Sequence, residues 1–106
     1  MTLIDSKIDK IKDVCNKYRI LELYAFGSVL TDAFHDKSDI DLIVNIDDSD
    51  PFIYGETYFD FKFELENLLG RKIDLLEQNA IKNKRFQNLI NQKKQLLYAR
   101  RSESLA

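Results

Sequence analysis

A single sheet with helices packed against it is the fold this chain predicts, and three observations predict it. Apolar residues recur first at helical spacing and then as a compact strand-like run, and stretches of the two kinds alternate to the end of the sequence. Glycine or other turn-forming residues stand where one stretch gives way to the next. The length of 106 residues, with 44% apolar and 32% charged content, suits one domain around one core.

The elements follow in order. Ile4, Ile8, Ile11, Cys15 and Tyr18 repeat every three or four positions, so residues 3–18 are expected to form an amphipathic helix. Residues 20–26 are apolar and aromatic and stop at Gly27, which predicts the first strand. Ser28 is placed to cap a short helix through about residue 34, and His35-Asp36-Lys37-Ser38 follows as a polar loop. Residues 39–46 carry a β-branched run and predict a buried second strand. Asp47-Asp48-Ser49-Asp50-Pro51 predicts a turn. Residues 54–69 predict a second long helix, with Tyr58, Phe61, Leu65 and Leu68 as its core stripe and Gly70 as its stop. The remainder predicts a strand over 72–76, a helix over 79–92 using Ile81, Phe86, Leu89 and Ile90, and a short strand over 95–99. The domain is thus expected to span residues 1–99, with 100–106 a flexible tail. The connections are long enough for parallel crossovers, but the pattern alone leaves each strand's direction open.

Composition narrows the function. No apolar run approaches the roughly 20 residues that cross a bilayer, and the start of the sequence has no basic segment followed by an apolar one. With Cys15 the one cysteine, no internal disulfide is expected and a cytoplasmic location is the default. The net charge of −2 argues against direct nucleic-acid binding. The cations that cluster late in the chain, Lys82, Lys84, Arg85, Lys93, Lys94, Arg100 and Arg101, are expected on solvated helix and tail surfaces.

The chemistry concentrates in one stretch. Gly27-Ser28 ends the first strand, and Asp39-Ile40-Asp41 opens the second. Alternate residues of a strand share a face, so Asp39 and Asp41 project together. Two close carboxylates repel unless a cation lies between them, which points to a divalent metal and a phosphate-bearing substrate. Gly27 lets the backbone approach a phosphate without a Cβ in the way. Ser28 brings a hydroxyl and, at a helix start, free N–H groups that attract an anion. A two-metal phosphoryl-transfer site wants a third carboxylate, and Asp74 is the candidate: it sits in Arg71-Lys72-Ile73-Asp74-Leu75-Leu76, a strand context where Asp is disfavoured. The other acidic residues of the loops, Asp32, Asp36, Asp47, Asp48 and Asp50, are expected to be solvated, and His35 to be a surface residue.

Gly27-Ser28, ten residues, then Asp39-x-Asp41 resembles the signature of the DNA polymerase β-like nucleotidyltransferase superfamily. More narrowly, the chain resembles the minimal nucleotidyltransferase (MNT) proteins from its first helix through Leu23–Asp32, Ser38–Leu42, Tyr58-Phe59-Asp60 and Arg71–Leu76 to Leu97-Tyr98. That resemblance implies an α+β fold with a small mixed, twisted sheet flanked by helices. It implies that Asp39, Asp41 and Asp74 form the catalytic and metal-binding set around two Mg²⁺ ions, and that Gly27 and Ser28 hold ATP. It also implies an antitoxin that pairs with a HEPN-domain ribonuclease toxin and transfers AMP to its tyrosine hydroxyl. One departure stands out: relatives often carry an arginine two or three positions after the Gly-Ser, where this chain has Leu30 and Thr31.

Three functions follow as alternatives. The first is Mg²⁺-dependent AMP transfer to the partner protein, with Asp74 assisting attack on the α-phosphorus. The second is a catalytically weak or inactive antitoxin that neutralises its partner by direct binding, which the missing arginine favours. The third, transfer to a small molecule, needs an acceptor pocket for which a chain of this length leaves little room. With no primer groove expected, a protein partner suits the acceptor better than DNA.

Overall fold

Residues 2–27 and 39–100 are described by the structure, a computed structural model. The expected short helix after Gly27, the loop containing His35, and positions 101–106 lie outside the described residues. The order is α1 (Thr2–Ser6), α2 (Ile8–Lys17), β1 (Ile20–Phe26), β2 (Ile40–Ile46), α3 (Pro51–Leu69), β3 (Ile73–Glu77), a 3₁₀ turn (Gln78–Ala80), α4 (Lys84–Lys93) and β4 (Gln95–Ala99). This is a mixed α+β fold, as expected. The four strands form one sheet in the order β3-β2-β1-β4. β1 pairs antiparallel with both β2 and β4, whereas β2 and β3 run parallel. The parallel pair needs a crossover, and the 19-residue α3 supplies it.

The alternation of side chains divides the sheet into two unlike faces. Ile40, Leu42, Val44 and Ile46 of β2 share the main core with Leu23 and Ala25 of β1 and Ile73 and Leu75 of β3. Helices α1 to α3 cover that face with Ile4, Ile11, Val14, Cys15, Phe61, Leu65 and Leu69, all buried. Tyr18 meets Phe61 edge-on at 6.1 Å and its hydroxyl donates to Glu64 at 2.7 Å, tying α2 to α3. Burial pushes the Cys15 thiol up to about 12, so it packs as a small apolar group. No helix among the described residues is long and apolar enough to cross a membrane.

Several boundaries differ from the sequence reading, each for a local reason. The single helix expected over 3–18 is two. Lys7 donates its N–H to Ile4 O at 3.1 Å with φ −117°, ψ 9°, and the ladder restarts at Ile11 N–H to Lys7 O. The segment expected as a turn, 47–51, instead starts α3 three residues earlier than position 54. Asp50 is its N-cap, accepting from Phe52 N at 2.9 Å and Ile53 N at 3.4 Å, and Pro51 occupies the first turn where its missing N–H costs nothing. Gly70 ends α3 as expected, in the left-handed conformation at φ 65°. The last helix begins at Lys84, capped by the Asn83 side chain, because Gln78–Ala80 form the 3₁₀ turn and residues 81–83 a non-helical link. Of its expected core residues, Ile90 is buried and Phe86 and Leu89 are exposed. In the stripe of α3, Phe61 and Leu65 are buried with Leu69, while Tyr58 and Leu68 pack half-buried against the core. Arg100, directly after β4, donates its N–H to Leu21 O at 2.8 Å, and its guanidinium pairs with Asp47.

Replacing Asp50 with alanine leaves two N–H groups of α3 without their acceptor and is expected to cost about 1 kcal/mol. In a domain of this size that lowers Tm by about 4–8 °C, read by thermal denaturation. An unchanged Tm would show that the cap contributes nothing.

Candidate active site

The face of the sheet turned away from α1 to α3 carries Asp41 and Asp74. Asp41 is the direct neighbour of Asp74 across the parallel β2–β3 pair, and of Phe26 across the antiparallel β1–β2 pair. Directly paired residues point to the same side. Asp41 and Asp74 therefore stand side by side on this open face, each on a strand anchored by the core behind it. Asp39 lies just before β2, two residues from Asp41 and close enough to act on it. Asp39 and Asp74 are exposed and Asp41 is partly buried.

Electrostatics singles out Asp41. Its carboxyl is held above the usual carboxylate range, first by partial burial and then by the negative charges of Asp74 and Asp39. A position where three acidic groups meet, and where one resists ionising for want of a counter-charge, suits a cation. Among the described residues, no three carboxylate, histidine or cysteine side chains close into a ready metal cage. The donor set is open, all oxygen and all hard. Mg²⁺ suits such a set, since it retains several waters and takes one or two carboxylates together with substrate phosphate oxygens.

Gly27 is placed against this pair. It follows Phe26 at the end of β1 with φ 77°, a conformation that disfavours any side chain. A Cβ at Gly27 would stand 2.6 Å from Asp41 Oδ2, well inside contact distance. The glycine is thus required twice over, by its backbone angle and by the carboxylate that lies on it. Ser28, expected to hold the phosphates with it, lies outside the described residues. So do Leu30 and Thr31.

The same face carries further residues that no motif marks. Ile43, two positions beyond Asp41, is buried but stands apart from the main core, beneath α4 and its Ile90. Phe26 meets Phe86 of α4 edge-on at 6.5 Å. Tyr24, opposite Ile43, donates its hydroxyl to Glu22 at 2.7 Å, and burial pushes its phenol up to about 12. Lys94, expected on a solvated surface, instead places Nζ 3.9 Å from the centre of the Tyr24 ring. Its late-chain companions Lys82, Lys84, Arg85, Lys93 and Arg100 are exposed. One lysine of the Lys93-Lys94 pair at the end of a charged helix gives no signal in one sequence that would have set it apart.

Comparison with known proteins agrees with this geometry. The sequence profile of the family described as Polymerase beta, Nucleotidyltransferase matches residues 9–103. A Methanocaldococcus jannaschii protein that bears the name of a protein adenylyltransferase is 32% identical over 84 residues, or 72% of this chain and 83% of that protein. A second, similarly named protein of the same organism is 32% identical over 68 residues, covering 64% of this chain and 67% of its own length. Among solved structures, one described as a minimal nucleotidyltransferase superposes with a TM-score of 0.72 at 20% identity, over 87% of this chain and 90% of that one. A complex of a tri-AMPylated Shewanella oneidensis HEPN toxin with its MNT antitoxin gives 0.62 at 18% identity, over 91% and 72%. At these identities the solved structures establish a shared fold. A profile that spans nearly the whole chain, with Asp41 and Asp74 paired on its sheet, settles the kinship: the chain is a nucleotidyltransferase of the polymerase β family.

Proposed function

We propose that this protein transfers AMP from ATP, with Mg²⁺, to a tyrosine hydroxyl of a HEPN-type ribonuclease toxin and so acts as its cytoplasmic antitoxin. The observation that carries the reading is the Asp41–Asp74 pairing, with Asp39 beside it and Gly27 packed on Asp41. Support comes also from the relatives named as protein adenylyltransferases and from the neighbouring fold in complex with an AMPylated toxin.

In this reading Asp39 and Asp41 would hold Mg²⁺, and Asp74 would complete the set. Bound Mg²⁺ supplies charge neutralisation at the phosphates and lowers the cost of the leaving pyrophosphate. Asp74 is exposed on β3, an edge strand of the sheet, and is open to an incoming acceptor. It accepts the proton as the tyrosine oxygen attacks the α-phosphorus. The bond to the α-phosphorus forms on one side and the bond to the bridging oxygen breaks on the other, releasing pyrophosphate. Gly27 lets a phosphate approach the backbone without a Cβ in the way, and Ser28 offers its hydroxyl. AMP on the toxin adds bulk and negative charge, both of which oppose RNA binding.

The second reading, neutralisation by direct binding, rests on Leu30 and Thr31 where relatives often have an arginine. The two separate on one double substitution. With the toxin, ATP and Mg²⁺ present, intact-mass analysis is expected to show one or more AMP additions to the toxin. Asp39→Asn with Asp41→Asn keeps the shapes, removes the charge, and is expected to abolish both the additions and the neutralisation. Neutralisation that survives without AMP addition would favour direct binding.

Gly27→Ala is expected to cost about 1–2 kcal/mol in stability from its left-handed backbone. It should reduce AMP transfer by more than that, since the new methyl displaces the Asp41 carboxylate. Transfer rate measured beside Tm separates the two effects, and proportionate losses would refute the displacement.

Asp41 also has a signature free of substrate. Its proton is held more readily in the folded chain than in the unfolded one, so its contribution opposes folding above its folded pKa. That penalty disappears as pH falls through the raised value toward the ordinary carboxylate range. Asp41→Asn is therefore expected to raise Tm at pH 7 in the presence of a chelator, with the gain shrinking in acid. A lower Tm at pH 7 would show that the carboxylate is not under repulsion.

A further inference from the structure

Beside the carboxylates on the open face is a cavity of about 340 Å³ between β2, the 3₁₀ turn and α4. Ile43, Ile81 and Ile90 supply its apolar walls, and Gln78, Asn91 and Lys94 are among its polar lining. Its volume falls within the range of small-molecule sites, about 300–1,000 Å³. The strand rise places Ile43 about 6.6 Å from Asp41 along β2, and both side chains point to the same side. The cavity therefore begins roughly one sugar's breadth from the carboxylates.

One polar atom at this cavity has no partner among the described residues: Gln78 Oε1 is buried and accepts no hydrogen bond from them. A buried acceptor left unmade costs about 1–3 kcal/mol, and the fold shows no return for it. The terminal torsion of a glutamine is soft, so the amide turns readily toward a donor placed in the cavity. The neighbouring Gln87 is already engaged, donating to Ile81 O, and this bond braces the wall on the side of α4. Lys94 adds a positive charge, steadied over the Tyr24 ring.

Branched aliphatic walls, amide groups at the edge and one cation describe a receptor for a flat heteroaromatic ring that bears polar edges and belongs to an anion. We propose that this cavity is the nucleobase site of the enzyme's triphosphate, and that the unpartnered Gln78 oxygen selects a base with an amine at C6, adenine, over guanine, which has an oxygen there. The proposal rests on the nucleotidyltransferase reading of the adjoining carboxylates and adds to it the residues that choose the base. A tyrosine ring of the acceptor is the competing occupant. Its single hydroxyl leaves the several amides of the wall unused, so the nucleobase is favoured.

The test is calorimetric titration of the full chain, with Mg²⁺, using ATP, GTP, inorganic tripolyphosphate and N-acetyl-tyrosinamide as probes. Wild type is expected to bind ATP about tenfold more tightly than GTP, the worth of one hydrogen bond to a buried group. Gln78→Leu is expected to remove that preference by weakening ATP alone, with tripolyphosphate unchanged. Equal ATP and GTP binding by wild type, or an unaltered preference in Gln78→Leu, would overturn the base site while leaving the carboxylate site standing. Failure of ATP and tripolyphosphate alike to bind wild type would overturn both. A second measurement guards against a misfolded variant. Adenosine added to the labelled wild-type protein is expected to shift the side-chain amide signals of Gln78 and Asn91. Shifts of those signals by N-acetyl-tyrosinamide and not by adenosine would assign the cavity to the acceptor and overturn the proposal.

Discussion

Two carboxylates held side by side against their own repulsion are the constraint on which this structure turns. Asp41 and Asp74 occupy matched positions on parallel neighbouring strands, a geometry that side-chain freedom relaxes only in part. An arrangement of like charges persists where the backbone is fixed by something stronger. Here that is the core on the reverse of the same strands, where Ile40, Leu42, Ile73 and Leu75 are almost wholly buried. Burying each such side chain contributes about 1.5–3 kcal/mol, far above the cost of one partly solvated repulsion. The acidic pair is thus a strained feature carried by a stable frame.

The division of labour between the two faces follows from strand geometry. Within β2, even-numbered residues enter the core and odd-numbered ones face the open side. Asp41 and Ile43 are neighbours on that open side, one charged and one buried beneath α4. A small second cluster of apolar contacts, Phe26 with Phe86 and Ile43 near Ile90, holds α4 over part of the face and leaves the carboxylates uncovered. The cavity is the space between that partial cover and the sheet. The carboxylates and the cavity are therefore adjacent because both draw on β2.

Helix α3 presents a different surface. Its inner residues pack on the core face, and its outer side leaves Phe52, Phe59 and Phe63 exposed, the last two stacked at 6.2 Å. This row lies on the helix side of the sheet, away from the carboxylates.

Much of this was legible in the residues themselves. The order of helices and strands and the stop at Gly70 follow from interactions over a few positions. The start of α3 was legible in principle too, since Asp50-Pro51 is a helix-opening pair; its acidic neighbours made it read as a turn. The break at Lys7 was not, because the apolar spacing runs through it unchanged. What a sequence cannot state is which strands become neighbours and in what direction. Asp74 lies 33 positions from Asp41, and only the parallel pairing of β2 with β3 brings them together. The empty space beside Gln78 and the seat of Lys94 over Tyr24 likewise depend on how α4 settles on the sheet. The chain alone determined its elements and its acidic motif, since both are local properties of spacing and residue type. The tertiary structure decided the site and its cavity, because strand register and helix packing are fixed by burial summed over the whole core.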